Sequence, residues 1–439
     1  LASCGWLAIS FAACASAFAA DAEPVTLAEP AESGRVFEVR SELSVEGKIE
    51  VALGGGRSET HPLDVEADLR YLERRLSGTG RDARTLRSLR QYTRAGSKIV
   101  VDKETSFYRL RPELARVVAQ GLPGGIERHS PAGPLTRIEL DLLRMPGDSL
   151  AMVGLLPASP VRPGEEWTPA SWVAPMLADL EAVVKNELTC KLDSVVGDIA
   201  TVSFEGKLEG ASDGAETSIA LAGSFGFDVR NNHIRSLALR QTEKRSVGAV
   251  SPGLEVIATV ELTRAPAEAA GPLAEEAARA IPLDPPPESL LLTFQTPGEA
   301  AFLHDRGWHL FKQTGKVAIL RLIEQGSFVA QCNVASIAAA APGDHTSLEQ
   351  FQQDIRTSLG ERFATISESR RLPTDDGRHL LRVTALGAAG ETPMTWIYYL
   401  CADPSGRQVS FVFSVESELR EKLGGRPDEI VRSVRFTPR

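Results

Sequence analysis

Three stretches of this chain carry residue types that could do chemistry. Gly210-Ala-Ser-Asp-Gly214 reads G-x-S-x-G, the string of a nucleophile elbow, in which a serine stands exposed on a strained turn between a buried strand and a helix. Here both flanks alternate apolar and polar residues as strands do, so Ser212 is expected in a hairpin loop. His304 and His309 flank Asp305 and suggest a metal site. Their five-residue spacing sets the imidazoles on opposite faces of a strand and far apart on a helix, and no HExxH or third ligand at a known spacing supports them. In "LPASPVRPGEEW", residues 156–167, Glu165 and Glu166 are adjacent and diverge on any regular element. Pro163 and Gly164 occupy the central positions of a type II turn, and the stretch reads as a corner. No P-loop, dinucleotide fingerprint, CxxC or EF-hand pattern occurs, so no catalytic residue, cofactor or metal is expected.

The remaining charge feature is "LRYLERRLSGTGRDARTLRSLRQYTR", where Arg84, Arg87, Arg90 and Arg94 recur at helical spacing. On a helix they would form a basic stripe able to hold an anion; on a strand they would scatter over both faces. Solvated arginines paired with Glu73 and Asp82 are the plainer reading. The formal net charge of −10 argues against a general nucleic-acid binder, which needs a dense excess of Lys and Arg.

The elements that must position these residues are mostly strands. In "RVFEVRSELSVEGKIEVAL" Phe37, Val39, Leu43, Val45, Ile49, Val51 and Leu53 share one face, with a turn expected at Glu46-Gly47. "HPLDVEADLRY" alternates likewise, and five more strands follow between 185 and 264. Such one-sided antiparallel strands make a meander or half-barrel. Ile219, Leu221, Phe225 and Phe227 in "TSIALAGSFGFDV" are its expected apolar lining. Helices are expected from the Thr136/Glu139 capping box, after Thr168-Pro169, and from the Ser347/Gln350 box. Pro175 should kink or shorten the second, and Gly360 should disturb the end of the third.

The first 20 residues form an apolar run closing on Ala17-Phe-Ala19, the small-x-small pattern of an export signal. Lipidation at Cys14 or Cys4 is the competing reading. No later stretch is long and apolar enough for a membrane span, so any envelope association would be peripheral. Cys190 alternates with Leu188 and Leu192 as a buried thiol; Cys332 and Cys401 are either bridged or two core thiols. Pro-rich residues 265–289 read as a linker. The divisions are therefore a signal at 1–20, an N-terminal linker at 21–34, a β-rich domain at 35–264, the linker at 265–289 and a second domain at 290–439.

"HSPAGPLTRIELDLL", "PGDSL", "LLPASPVRPGEEW" and "GLEVIA" resemble a family of uncharacterised secreted bacterial proteins, whose sheet-plus-helix layout is similar to the lipoprotein-carrier half-barrels. "FQTPGEAAF", "DRGWHLF", "SLEQFQQDI", "WIYYL" and "DEIVRSVRF" resemble the PsbP-like domains. The resemblance implies an α+β class: a β-meander or half-barrel with helices, then an α/β/α sandwich of PsbP-like type, without catalytic residues. The expected function is that of an exported, non-enzymatic binding or carrier protein of the periplasm or extracellular envelope, for an apolar or lipid ligand. An assembly or scaffold role through the second domain is the alternative, and a hydrolase a distant third.

Overall fold

The computed structural model describes residues 23–30, 34–54, 57–77, 82–282, 284–296 and 300–436. The expected export signal and its two cysteines lie outside these residues. In chain order the first lobe contains β1 (Val36–Gly54), β2 (Arg57–Ser77), β3 (Arg87–Val101), β4 (Glu104–Arg109), β5 (Arg116–Leu122) and β6 (Gly125–His129). There follow α1 (Arg137–Leu142), β7 (Glu166–Trp167), α2 (Val173–Ala178), β8 (Ala182–Asn186) and β9 (Thr189–Val196). β10 (Ile199–Ser212), β11 (Ala215–Asp228), β12 (His233–Arg245) and β13 (Gly253–Ala267) complete it.

These strands form one 13-stranded sheet in the order β6-β5-β3-β2-β1-β13-β12-β11-β10-β9-β7, with β4 on β3 and β8 on β10. Two antiparallel meanders are thus welded along β1 and β13, paired from Val36↔Ala267 to Glu50↔Gly253. Period-two alternation sends Phe37, Val39, Leu43 and Val45 to the inner face and the glutamates of β1 to the outer. The expected turn at Glu46-Gly47 is not there: β1 runs straight through. Gly47 instead permits close approach, since a Cβ would overlap the Glu255 carbonyl oxygen of β13.

Residues 130–184 cross the inner face. α1 starts at the Thr136/Glu139 capping box, both halves of which are formed. α2 starts later than expected: Trp172, not Thr168, precedes it, and Pro175 lies in its first turn, where the missing N–H is tolerated. The PVRPGEEW stretch is a corner. Glu165 N–H donates to the Arg162 carbonyl at 3.0 Å, Gly164 has φ 91, and Trp167 Nε1 donates to the Leu155 carbonyl at 2.9 Å.

Residues 268–282 continue past β13 along the outer face, through the short α3 (Glu275–Arg279). Leu273 is buried against Val36, Leu89 and Val118, and Arg74 donates to the Leu273 carbonyl at 2.8 Å.

The second lobe contains β14 (Leu292–Gln295), β15 (Ala300–His304), β16 (Trp308–Gln313), β17 (Val317–Glu324), β18 (Ser327–Ile337) and α4 (Leu348–Leu359). Next come β19 (Phe363–Arg371), β20 (His379–Ala389), β21 (Thr392–Ala402), β22 (Gln408–Glu416), α5 (Arg420–Leu423), α6 (Arg426–Arg432) and β23 (Arg435–Phe436). A seven-stranded sheet, β16-β17-β18-β22-β21-β20-β19, carries α4 on one face through Phe351, Ile355 and Leu359. Its other face packs on the three-stranded sheet β14-β15-β23 and on α5 and α6.

The α+β expectation, with its α/β/α sandwich, is therefore corrected. The protein is mostly β, with 55% strand and 16% helix, and large antiparallel sheets dominate both lobes. One reason is that the layer opposite α4 is half sheet; another is that α4 stops at Gly360, φ 54, and the chain turns into β19. Cys332 and Cys401 are not bridged: β22 lies between their strands, opposing Phe413 to Cys332 and Val409 to Cys401.

Candidate functional site

Cross-strand register writes the inner face of the large sheet as rows. One row is Leu239, Val260, Leu43, Ala67 and Ser97; the next is Gln241, Ala258, Val45, Val65 and Ile99; a third is Glu243, Val256, Gly47, Leu63 and Val101. Residues 130–184 cover this face unevenly. Ile219, Leu221, Phe225 and Phe227, the expected lining, are buried in one cluster with Leu140, Met152, Val173 and Leu177, and Phe225 is 1% exposed. They form ordinary core. Leu43 and Ala67 mark the margin of that cluster. Beyond it Val45, Leu63, Val65, Ile99 and Val101 are only half-buried and join no buried cluster, and Leu53 at the strand end is 57% exposed. An apolar strip thus remains on the inner face where the cover stops.

The four arginines of the basic stretch do not come together. Arg84 is exposed in a single 3-10 turn, Ala83–Thr85, and Arg87 lies on β3 and donates to the Pro282 carbonyl. A bulge in β3 around Thr93 separates the other two. Arg94 turns outward to Asp68 at 3.0 Å. Arg90 turns inward, where its guanidinium grips Asp148 at 2.6 and 2.8 Å and its Nε donates to Glu73 at 3.1 Å. Arg128 adds a further bond to Asp148 at 2.8 Å, and Ser149 Oγ donates to Glu73 at 2.9 Å. Burial alone would raise the Asp148 carboxyl; Arg90 and Arg128 hold it far below the usual range. This charged knot is buried, so it positions β2, β3, β6 and the chain at 148–149 against one another.

Where the lobes meet, a cleft of about 830 Å³ is lined by Arg137, Arg144, Asp179, Asp213, Arg306 and His309, among others. Most of its charges already have partners. Arg144 pairs with Asp179 at 3.0 Å and Glu181 at 3.6 Å. Arg137 donates across the junction to the Arg306 and Trp308 carbonyls, and Arg306 donates back to the Arg128 carbonyl at 2.6 Å. Burial, then Arg137, push the His309 imidazole down to about 4, so it is neutral 3.8 Å from Asp213. Ser212 is buried at the end of β10, before an Asp213-Gly214 turn with φ 49 and 76. His304 places Nδ1 2.7 Å from the Asp305 carbonyl oxygen. Among the described residues no group of three His, Cys, Asp or Glu side chains is placed to hold a metal.

Fold and site together define a mostly-β protein of two lobes, whose open antiparallel sheet has a partly covered inner face. No family model and no curated protein matches the chain. Among solved structures it is similar to the PsbP of Synechocystis sp. PCC 6803, at 16% identity and a TM-score of 0.27, over 33% of this chain and 92% of that one. The translocator domain of the autotransporter NalP from Neisseria meningitidis matches over 89% of this chain and 90% of that one, at 8% identity and a TM-score of 0.15. A mutant of the Rh. blastica porin matches over 87% and 99%, at 7% identity and a TM-score of 0.11. At such scores these likenesses carry no functional argument. Among the described residues no helix is long and apolar enough to cross a membrane.

Proposed function

We propose that this is an exported, non-enzymatic binding protein of the cell envelope that holds an apolar ligand of lipid type. The observation that carries the reading is the half-buried strip of Val45, Leu63, Val65, Ile99 and Val101 on the inner sheet face, next to a fully covered core. A closed domain buries such a face; a carrier leaves part of it for its ligand. The test is binding of an apolar fluorescent dye, together with mass spectrometry of organic extracts from protein purified out of its host. Val65→Asp and Ile99→Asp should abolish dye binding and copurifying lipid, whereas Val184→Asp, at an exposed site on β8, should leave both intact. Wild-type protein that binds no dye and carries no lipid would overturn the reading. A second reading, assembly with another envelope protein, is favoured by Leu310 and Phe311, exposed on the edge strand β16 of the second lobe's sheet, and Phe328, exposed on β18 two strands in. Pull-down that depends on Leu310 and Phe311 would support it.

A further inference from the structure

We propose that the groove filled by residues 23–30 is a recognition site for an extended peptide segment bearing an apolar side chain two residues ahead of a carboxylate, and that the protein's own N-terminal segment occupies it in cis. The segment is seated as a bound peptide would be. Val25 exchanges backbone hydrogen bonds with Val161 at 2.8 and 3.0 Å, as an isolated bridge outside the large sheet. Leu27 is 1% exposed within the main core. Glu29 sets a carboxylate oxygen 2.6 Å from Arg264 and accepts the Ile234 N–H at 3.0 Å. Main-chain pairing, one apolar anchor and one charged anchor are the components of recognition by strand addition.

The receiving side is supplied by β1, β12 and β13 of the large sheet. Arg264 comes from β13 and lies over the Phe37 ring, 4.1 Å from its centroid, while also donating to the Ile234 carbonyl at 3.3 Å. With the segment in place its side chain is fully buried, and its Nε has no hydrogen-bond partner among the described residues. The charged and titratable groups facing it besides Glu29 are Glu73, Tyr71, Arg75 and His233. Arg75 and Glu73 oppose each other there, so withdrawal of Glu29 leaves a preorganised guanidinium without its direct partner. An occupant of this groove must therefore bring a carboxylate, and the Leu27 pocket sets where its apolar side chain falls. The site is separate from the apolar strip: Arg264 pairs with Val39, and the strip begins at Val45.

A protease site placed at residues 31–33 of the mature full-length chain lets the segment be cut after folding. The probe is a fluorescein-labelled synthetic peptide of residues 23–30. The cut protein should keep its near-ultraviolet circular dichroism and take up the labelled peptide, seen as a rise in anisotropy. Unlabelled wild-type peptide should compete, and peptides carrying Leu27→Ala or Glu29→Gln should compete at least tenfold less well. Arg264→Gln in the cut protein should weaken uptake to a similar degree. A cut protein that never exchanges its segment for excess peptide, that loses its tertiary signal when the segment leaves, or that binds all three peptides equally would overturn the proposal. Dye binding at the strip should be unaffected by these changes, so each idea fails on its own measurement.

Discussion

Arg90 and Arg94 are four residues apart, yet burial gives them opposite roles. Replacing Arg90 by Ala leaves Asp148 to Arg128 alone and Glu73 to Ser149 and Arg75, and removing one partner from a buried ion-pair network costs about 3 kcal/mol. Arg94 is 62% exposed beside Asp68, so Arg94→Ala should cost under about 1 kcal/mol. Urea titrations of the two variants check this; equal losses would refute the division. Titration sharpens the same point. Burial holds His129, His304 and His309 down to about 4, so between pH 6.5 and 4 the unfolded chain binds protons that the folded one refuses. Stability should fall as pH drops through that window. Glu29, which burial would raise but Arg264 lowers to about 2, adds stability above pH 4.5 that is lost on descending towards 2. The urea midpoint should therefore decline steadily from pH 6.5 downward, and His304→Gln should flatten the upper part of the decline. A midpoint that rises on acidification would contradict these assignments.

Single elements depend on close approaches and caps. Gly47→Ala should break the register of β1 against β13, because the new methyl meets the Glu255 carbonyl, whereas Gly315→Ala faces open space. Hydrogen exchange across β1 and β13 reads the difference: protection should collapse in the first variant and persist in the second. At α4, Ser347 accepts the Gln350 N–H at 3.1 Å, and Ser347→Ala should cost about 1 kcal/mol of stability.

The two lobes touch through small, specific contacts. Besides the arginine-to-carbonyl bonds of Arg137 and Arg306, Leu135 bridges to Leu292, and the Asp213-Gly214 turn abuts Gly326 so closely that a Cβ on Gly214 would overlap its carbonyl. Arg137→Ala combined with Gly214→Ala should loosen the junction while leaving each lobe intact. Limited proteolysis is expected to cut near residues 283–289 and release a C-terminal fragment starting near Leu290, faster in the double variant. Equal rates in both proteins would show that the junction does not hold the lobes together.

Alternation of apolar and polar residues and local cap signals sufficed for the meanders, the inner face of each strand, the capping box at Thr136 and the Ser347 cap, whose Gln350 side chain turns to Asp354 instead of closing a box, because side-chain period and caps are local properties of the chain. The corner at Pro163-Gly164 was legible for the same reason. Alternation could not say which part of the apolar face is covered. Phe225 and Val65 sit on equally regular strands, and only the path of residues 130–184 makes one core and leaves the other half-exposed. Nor could spacing reveal the partners of Arg90: Asp148 is 58 residues away, and a bulge in β3 decides which arginine turns inward. The class of the second lobe was not legible for a related reason, since the layer on the side of the seven-stranded sheet away from α4 is completed by β23, from the far end of the chain. Periodicity is written residue by residue, whereas cover, charge pairing and layer composition are set by segments that meet only when the chain has folded.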